Sequence, residues 1–362
     1  MATMQKDILA GRIRRIRRTL IERKIDALLM TNPANVTYVT GFRGADSWAM
    51  ATQRQVYLLT DSRYTEQARN ECPACRIVER KESLAQDVGR IVRRSASIYT
   101  IGVEKHTSLG SYESLKKRVD RRLRPVDGIT QAVRRIKDAG EIQAIRTSAA
   151  ISRKVLERTL EYIQPGISEM ELAGLLDLEM RRNNAVTSFE TIVAFGANGS
   201  RPHHQPGARR LRRTDTVLID FGAKRDGYCS DITRCFAVGK ATRLYREVFE
   251  AVERAQAAAI GKIRPGARLA DVDEAAREVI READLPVYGH GTGHGFGLEI
   301  HEEPFLKPGA KGVLEEGTVL TIEPGVYMPG TLGVRIEDDV LVTDKGCEVL
   351  TRHCPHALAP GC

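Results

Sequence analysis

A chain of 362 residues exceeds the size of one ordinary hydrophobic core, so two domains are expected. With 42% hydrophobic and 28% charged residues the composition is that of an ordinary globular protein, and no stretch nears the roughly 18 apolar residues of a membrane span. The net charge of +9 comes largely from clustered arginines, but aromatics are only 5% and do not interleave with them, so nucleic acid is not expected as the main partner.

The first residues, MATMQKDILAGRIRRIRRTL, have neither an apolar segment nor a small-residue cleavage site, so a cytoplasmic location is the expectation. Over 11–24, Ile13, Ile16 and Leu20 stand at helical spacing between arginines, which predicts an amphipathic helix with a solvated basic face. Residues 27–30 (ALLM) predict a buried strand ending at the turn Thr31-Asn32-Pro33, and 35–40 (NVTYVT) read as extended up to Gly41. Residues 56–60 and 98–103 predict further strands, with Asp61-Ser62-Arg63-Tyr64 opening a helix between them. Strands alternating with helices argue for an α/β domain over 1–132. Within it Cys72-Pro73-Ala74-Cys75 has CxxC spacing, but no second CxxC or nearby CxxH completes a zinc site. The seven cysteines, Cys362 included, are scattered and odd in number, so the pair is read as structural.

From Val126 to Glu141 the pattern changes to a long charged helix, which places a helical linker over 133–139 and a second domain over 140–362. Helices continue to about Asn184, broken at Gln164-Pro165-Gly166. Beyond them come strands and glycine-rich turns, so the second domain reads as α+β with an antiparallel sheet. Two segments look alike. TVLIDFG (216–222) and YCSDITRCF (228–236) form one hairpin; TVLTIEPG (318–325) and GVRIEDDV (333–340) form the other. Each puts one carboxylate at the end of an apolar strand and another on the returning strand.

A carboxylate in an apolar strand is costly unless something compensates its charge. Any one of Asp220, Asp231, Glu323 and Glu337 could sit at a strand end in water, and Glu337-Asp338-Asp339 could be a solvated acidic turn. The recurrence in two hairpins is reconciled most simply by shared cations. Three of the eight histidines, His290, His294 and His301, fall within twelve residues of a glycine-rich segment, where imidazoles serve metals or substrates. Carboxylates with an imidazole suit Mn²⁺, Co²⁺, Fe²⁺ or Zn²⁺. Five ligands are too many for one catalytic ion with an open position, but suit two ions about 3.5–4 Å apart that share carboxylates.

These residues resemble those of the pita-bread metallopeptidases, the family of methionine aminopeptidase, aminopeptidase P and prolidase. By that resemblance the metal ligands are Asp220 in LIDFG, Asp231 in SDITR, His294 in GTGHGFGLEIHEEP, Glu323 in TIEPG and Glu337 in RIEDD. The spacings fit, with eleven positions between the aspartates and fourteen between the glutamates. His203, adjacent to His204, resembles the histidine ahead of the first metal strand. His290 and His301 resemble those flanking the metal histidine, and Arg335 the arginine two residues before the last glutamate. Residues 31–42 and 58–68 resemble the smaller N-terminal α/β domain that aminopeptidase P, prolidase and creatinase carry.

The resemblance therefore implies an α+β pita-bread catalytic domain behind a creatinase-type domain, holding two divalent ions (Mn, Co or Zn). It implies a peptidase that removes the residue before proline from short peptides, with an Xaa-Pro dipeptidase as the alternative. Phe305 after HEEP, where an arginine would serve a strict dipeptidase, tilts the reading toward the aminopeptidase; Arg335, Lys307 or Arg201 could fill that role. In this scheme Glu323 handles the proton, and His301 or His203 stabilises the tetrahedral intermediate or leaving nitrogen. His290 and Arg335 meet the substrate. Relatives with this N-terminal domain pair, so a homodimer is expected, with residues 40–50 lining the neighbour's cleft. Trp48 lies either on an exposed loop there or in the core. A silent binding protein on the same fold, or a basic nucleic-acid-binding protein, would be the reading from another class.

Overall fold

The computed structural model describes residues 2–354, with side chains from residue 7; Cys362 lies outside the described residues. The chain divides into two compact units, Met1–Arg134 and Arg135–Cys362.

The first unit runs α1 (Ala2–Glu22), β1 (Ala27–Met30), α2 (Pro33–Thr40), β2 (Trp48–Thr52), β3 (Val56–Thr60), α3 (Thr65–Glu71), β4 (Arg76–Glu79), α4 (Leu84–Arg93), β5 (Thr100–Glu104), α5 (Leu109–Arg118), β6 (Arg122–Val126) and α6 (Ile129–Arg134). Its strands form one sheet in the order β4-β3-β2-β1-β5-β6. β1/β5, β5/β6 and β3/β4 are parallel, whereas β1/β2 and β2/β3 are antiparallel. Leu29, Met50, Leu59, Val88, Ile101 and Leu115 close its core. The extended reading of 35–40 is corrected: this is the helix α2. The Asn32 side chain accepts from Ala34 N and Asn35 N at 2.8 and 3.1 Å, Pro33 starts the helix, and Gly41 ends it at φ 80°. Both ends are thus capped, and that outweighs the strand preference of its β-branched residues. Trp48 is on strand β2 opposite Leu59 and packs against the core, so the loop alternative fails.

The second unit begins where a continuous helix over 133–139 was expected. Instead α6 stops at Arg134, Ile136 bridges to Thr318, and Asp138 caps a new helix in a reciprocal capping box with Glu141. The elements that follow are α7 (Ala139–Thr159), α8 (Glu169–Arg182), β7 (Val186–Thr187), β8 (Ile192–Phe195), β9 (Thr216–Phe221), β10 (Ala223–Arg225), β11 (Tyr228–Cys229), β12 (Ile232–Ala237), α9 (Arg243–Ile260) and α10 (Leu269–Glu282). The chain ends through β13 (Gly293–Gly295), β14 (Glu302–Leu306), β15 (Val319–Ile322), β16 (Gly325–Met328), β17 (Leu332–Arg335), β18 (Asp338–Val342) and β19 (Cys347–Val349). Each strand pairing of this unit is antiparallel, as the α+β reading requires.

The two look-alike segments share one plan. β9 pairs with β12 around the short hairpin β10/β11, and β15 pairs with β18 around the hairpin β16/β17. Among the described residues, the bridge from Thr233 to Glu337 joins the two modules. One apolar core, from Leu218 and Phe249 to Leu320 and Val340, lies behind the modules against α9 and α10. A second, from Leu156 and Leu176 to Ile219 and Phe236, fills the side under α7 and α8.

Candidate metal centre

Strand alternation aims Asp220 of β9 inward, while Asp231 and Glu337 stand one residue before β12 and β18 and Glu323 one residue after β15. His294 sits mid-way along β13, between β14 and β15. Gly293 makes that placement possible. A Cβ there would lie 1.9 Å from the Thr321 carbonyl oxygen, so only glycine lets β13 approach β15 this closely. Thr321 Oγ1 accepts from His294 N at 3.1 Å and donates to Glu323 at 3.3 Å, tying two of the five groups together.

All five residues line one cavity of about 600 Å³, together with His203, His204, His290, His301 and Arg335. Asp231, His294 and Glu337 each bring a ligand atom within 4.8 Å of the others. His294 Nε2 lies 3.4 Å from Glu323 Oε1 and 3.8 Å from Asp231 Oδ2, while its Nδ1–H donates to the Gly295 carbonyl at 3.1 Å. That bond leaves the Nε2 lone pair directed at the acids. Burial holds His294 down to about 4, so the imidazole is neutral, as a ligand must be.

The carboxylates are under electrostatic stress. Burial, then the charges of Glu337 and Asp220, raises Asp231 well above the usual range; burial, then Glu323 and Asp220, does the same to Glu337. Glu323 is raised to about 7, mainly by burial and with Arg335 opposing. One oxygen each of Asp220 and Asp231 is buried without a hydrogen-bond partner. Retaining a buried ion costs several kcal/mol even after relaxation. Three or four such ions therefore cost on the order of the ~10–16 kcal/mol that a bound structural zinc supplies. Donor chemistry, orphaned oxygens and convergence all fit divalent metal.

Residues not singled out in the sequence hold this set in place. Arg234 is fully buried, donating to Asp338 at 2.7 Å and to the carbonyls of Glu337 and Thr233 at 2.5 and 3.0 Å. Asp339 accepts from Asp231 N at 3.2 Å, and Thr233 Oγ1 donates to Glu337 at 2.6 Å. Gln256 of α9 donates to Asp338 at 3.1 Å. Glu337, Asp338 and Asp339 form no solvated turn: all three are buried, and Asp338 and Asp339 begin β18. Arg335, expected to meet the substrate, places its guanidinium on Asp220, on Thr233 Oγ1 at 3.1 Å and on Tyr327 Oη at 2.8 Å.

The remaining histidines divide. His204 is buried 2.9 Å from Glu169, whereas its neighbour His203 is exposed on the cavity wall. His301 meets His294 edge to face at 4.5 Å between centroids, and burial, then the charge of His203, holds it below its ordinary value. His290 lies between Tyr288 and Tyr327, with Nδ1 2.7 Å from the Gly291 carbonyl and Nε2 3.0 Å from Tyr327 Oη. Both nitrogens are engaged, and it shows the cavity its ring.

Residues 143–344 match the model of metallopeptidase family M24, and residues 12–136 match the creatinase/prolidase N-terminal domain. The uncharacterized peptidase YqhT of Bacillus subtilis is 38% identical over 92% of this chain and 95% of its own. Among solved structures, an Xaa-Pro dipeptidase from Bacillus anthracis superposes with TM-score 0.93 at 36% identity, over 97% of this chain and 99% of that one. An X-Pro aminopeptidase from Thermotoga maritima gives TM-score 0.86 at 35% identity, over 92% and 98%. The two-domain pita-bread architecture is thereby established, and with it the class of chemistry. This chain is a hydrolase and belongs to metallopeptidase family M24, with a creatinase/prolidase-type domain ahead of the catalytic one.

Proposed function

We propose that this enzyme hydrolyses the Xaa-Pro bond at the N-terminus of short peptides, releasing the residue before proline. The observation that carries the chemistry is the convergence of Asp231, His294 and Glu337 within 4.8 Å in a cavity that Asp220 and Glu323 also line. The proline preference is supported by the likeness to both an Xaa-Pro dipeptidase and an X-Pro aminopeptidase. Asp220, Asp231, His294, Glu323 and Glu337 would hold two divalent ions, Mn, Co or Zn. Bound there, the metals supply Lewis acidity toward a carbonyl and water of lowered pKa.

The chain's own groups do the rest. Glu323, half-buried beside His294 and raised to about 7, takes a proton and returns it to the leaving nitrogen. His301 and His203, at the open side of the cavity, donate N–H to the oxygen that gains charge or to the departing imide. His290 contacts the substrate through its ring, an apolar face suited to a pyrrolidine. Arg335 acts through Asp220, fixing that carboxylate and balancing part of its charge. The domain boundary falls within the 133–139 connection, giving an N-terminal domain over 1–132 and a catalytic domain over 140–362.

The dipeptidase reading has one observation in its favour. Among the described residues, Lys307 on the cavity wall has no acidic partner, so a cation is available for a substrate carboxylate. Hydrolysis of Xaa-Pro dipeptides, Xaa-Pro tripeptides and Xaa-Ala controls by metal-loaded enzyme tests the proposal. Cleavage of the tripeptides at the Xaa-Pro bond, with little on the controls, is expected. Turnover confined to dipeptides would replace the aminopeptidase by the dipeptidase, and equal turnover of the Xaa-Ala controls would end the proline assignment.

A further inference from the structure

Cys72-Pro73-Ala74-Cys75 lies in the first unit, at the turn from α3 into β4, and takes no part in the chemistry above. The Cys72 N–H donates to the Ala68 carbonyl at 2.9 Å and closes α3; the Cys75 N–H donates to the Cys72 carbonyl at 3.0 Å. That bond, from the fourth residue of the turn to the first, holds the two Cα atoms within about 7 Å, and Pro73 fixes the backbone at the second position. A disulfide spans about 4.4–6.8 Å between Cα atoms, so the turn needs little movement to accept one. Both cysteines are free thiols. Cys72 is 0% exposed while Cys75 is partly exposed, so Cys75 is the more accessible of the two.

We propose that Cys72 and Cys75 are a thiol–disulfide exchange site, closed by a small-molecule disulfide of the glutathione class and reopened by its thiol. In the closing direction the Cys75 thiolate attacks one sulfur of the small disulfide, forming a mixed disulfide and expelling one small thiolate. Cys72 then releases its proton to solvent, and its sulfur attacks that of Cys75, expelling the second thiolate. One small disulfide is reduced to two thiols as two protein thiols become one bond. The order follows from exposure, Cys75 being the accessible residue and Cys72 the buried one; in keeping with it, the neighbouring Cys72 holds the Cys75 thiol below its ordinary value, while Cys75 and burial hold Cys72 above. Pairing at i and i+3 closes a very short loop and removes little chain entropy, so the site serves as a reversible modification rather than as a stabilising staple.

The test uses full-length, metal-loaded protein equilibrated in glutathione buffers from fully reduced to fully oxidised, then acid-quenched, alkylated with N-ethylmaleimide and digested with trypsin. Cleavage after Arg69 and Arg76 leaves both cysteines in one peptide, residues 70–76. The doubly alkylated peptide should give way to an unalkylated form two hydrogens lighter than the free dithiol peptide. Cys72→Ala should retain a glutathione adduct on Cys75, and Cys72 in Cys75→Ala should alkylate at least about tenfold more slowly than Cys75 in Cys72→Ala. A doubly alkylated wild-type peptide persisting in fully oxidised buffer, or a lasting wild-type glutathione adduct, overturns the proposal; neither outcome depends on a variant folding.

Discussion

Asp231 and Glu337 sit one residue outside their strands with each carboxylate pressed against another acid, a placement that backbone geometry alone does not explain. Their recurrence beside apolar strand ends made the candidate ligands visible in the sequence, whereas most of the groups that hold them were not. Arg234 reaches Asp338 and the Glu337 carbonyl from about a hundred positions away, so no local spacing announces it. The same holds for Asp339 under Asp231, while Arg335 was singled out as a substrate group and only its pairing with Asp220 was hidden. Two predictions belong at this scale. Glu323→Gln should lose about 10²–10⁴ in turnover, the usual range for a general acid–base group, with the circular dichroism of a folded protein; full activity with full metal content would show that Glu323 does not carry the proton. Arg234→Met leaves Asp338 buried without its cation and should cost about 3–5 kcal/mol, read as a lower midpoint in denaturant; a loss under ~1 kcal/mol would mean that the pair is dispensable.

Elements were legible where period and caps agreed. The strand at 27–30, the strand at 56–60 and the break at Gln164–Gly166 stand where expected. α2 was missed because NVTYVT has the composition of a strand, while its capping signals, Asn32-Pro33 before and Gly41 after, lie outside the run. The edge strands β4 and β6 carry too many charged and polar residues to show an apolar run. In the second unit the duplicated strand–hairpin–strand plan was visible because both modules keep a carboxylate at matching ends. The approach of β13 to β15 supplies a prediction here. Gly293→Ala would put a methyl 1.9 Å from the Thr321 oxygen, forcing the strands apart beneath His294 and Glu323. Metal affinity should fall roughly 10–100-fold, as when a ligand's supporting shell is lost, and unchanged affinity by isothermal titration would show that the close approach is not needed.

At the scale of the molecule, part of the basic clustering behind the net charge of +9 is used within the fold. Arg12 stacks on Tyr38 at 4.4 Å, Arg17 donates to the Thr52 carbonyl at 2.8 Å and Arg209 pairs with Asp215 at 2.9 Å, so three of the clustered arginines have structural duties. Among the described residues no helix is long and apolar enough to cross a membrane. None of the five candidate ligands lies in the N-terminal domain, and we propose that this domain serves a homodimer, with the part of 40–50 that precedes β2 at the partner's cleft, limiting access to short peptides. Light scattering should find a dimer at working concentration; a monomer fully active on short peptides would remove that role. The proposed reaction depends on two ions held by Asp220, Asp231, His294, Glu323 and Glu337. The most direct test strips the protein with chelator, returns Mn²⁺, Co²⁺ or Zn²⁺ stepwise, and follows bound metal by elemental analysis alongside cleavage of an Xaa-Pro peptide. Turnover should be absent from the stripped protein and rise as bound metal approaches two ions per chain; undiminished turnover with only trace metal would contradict it.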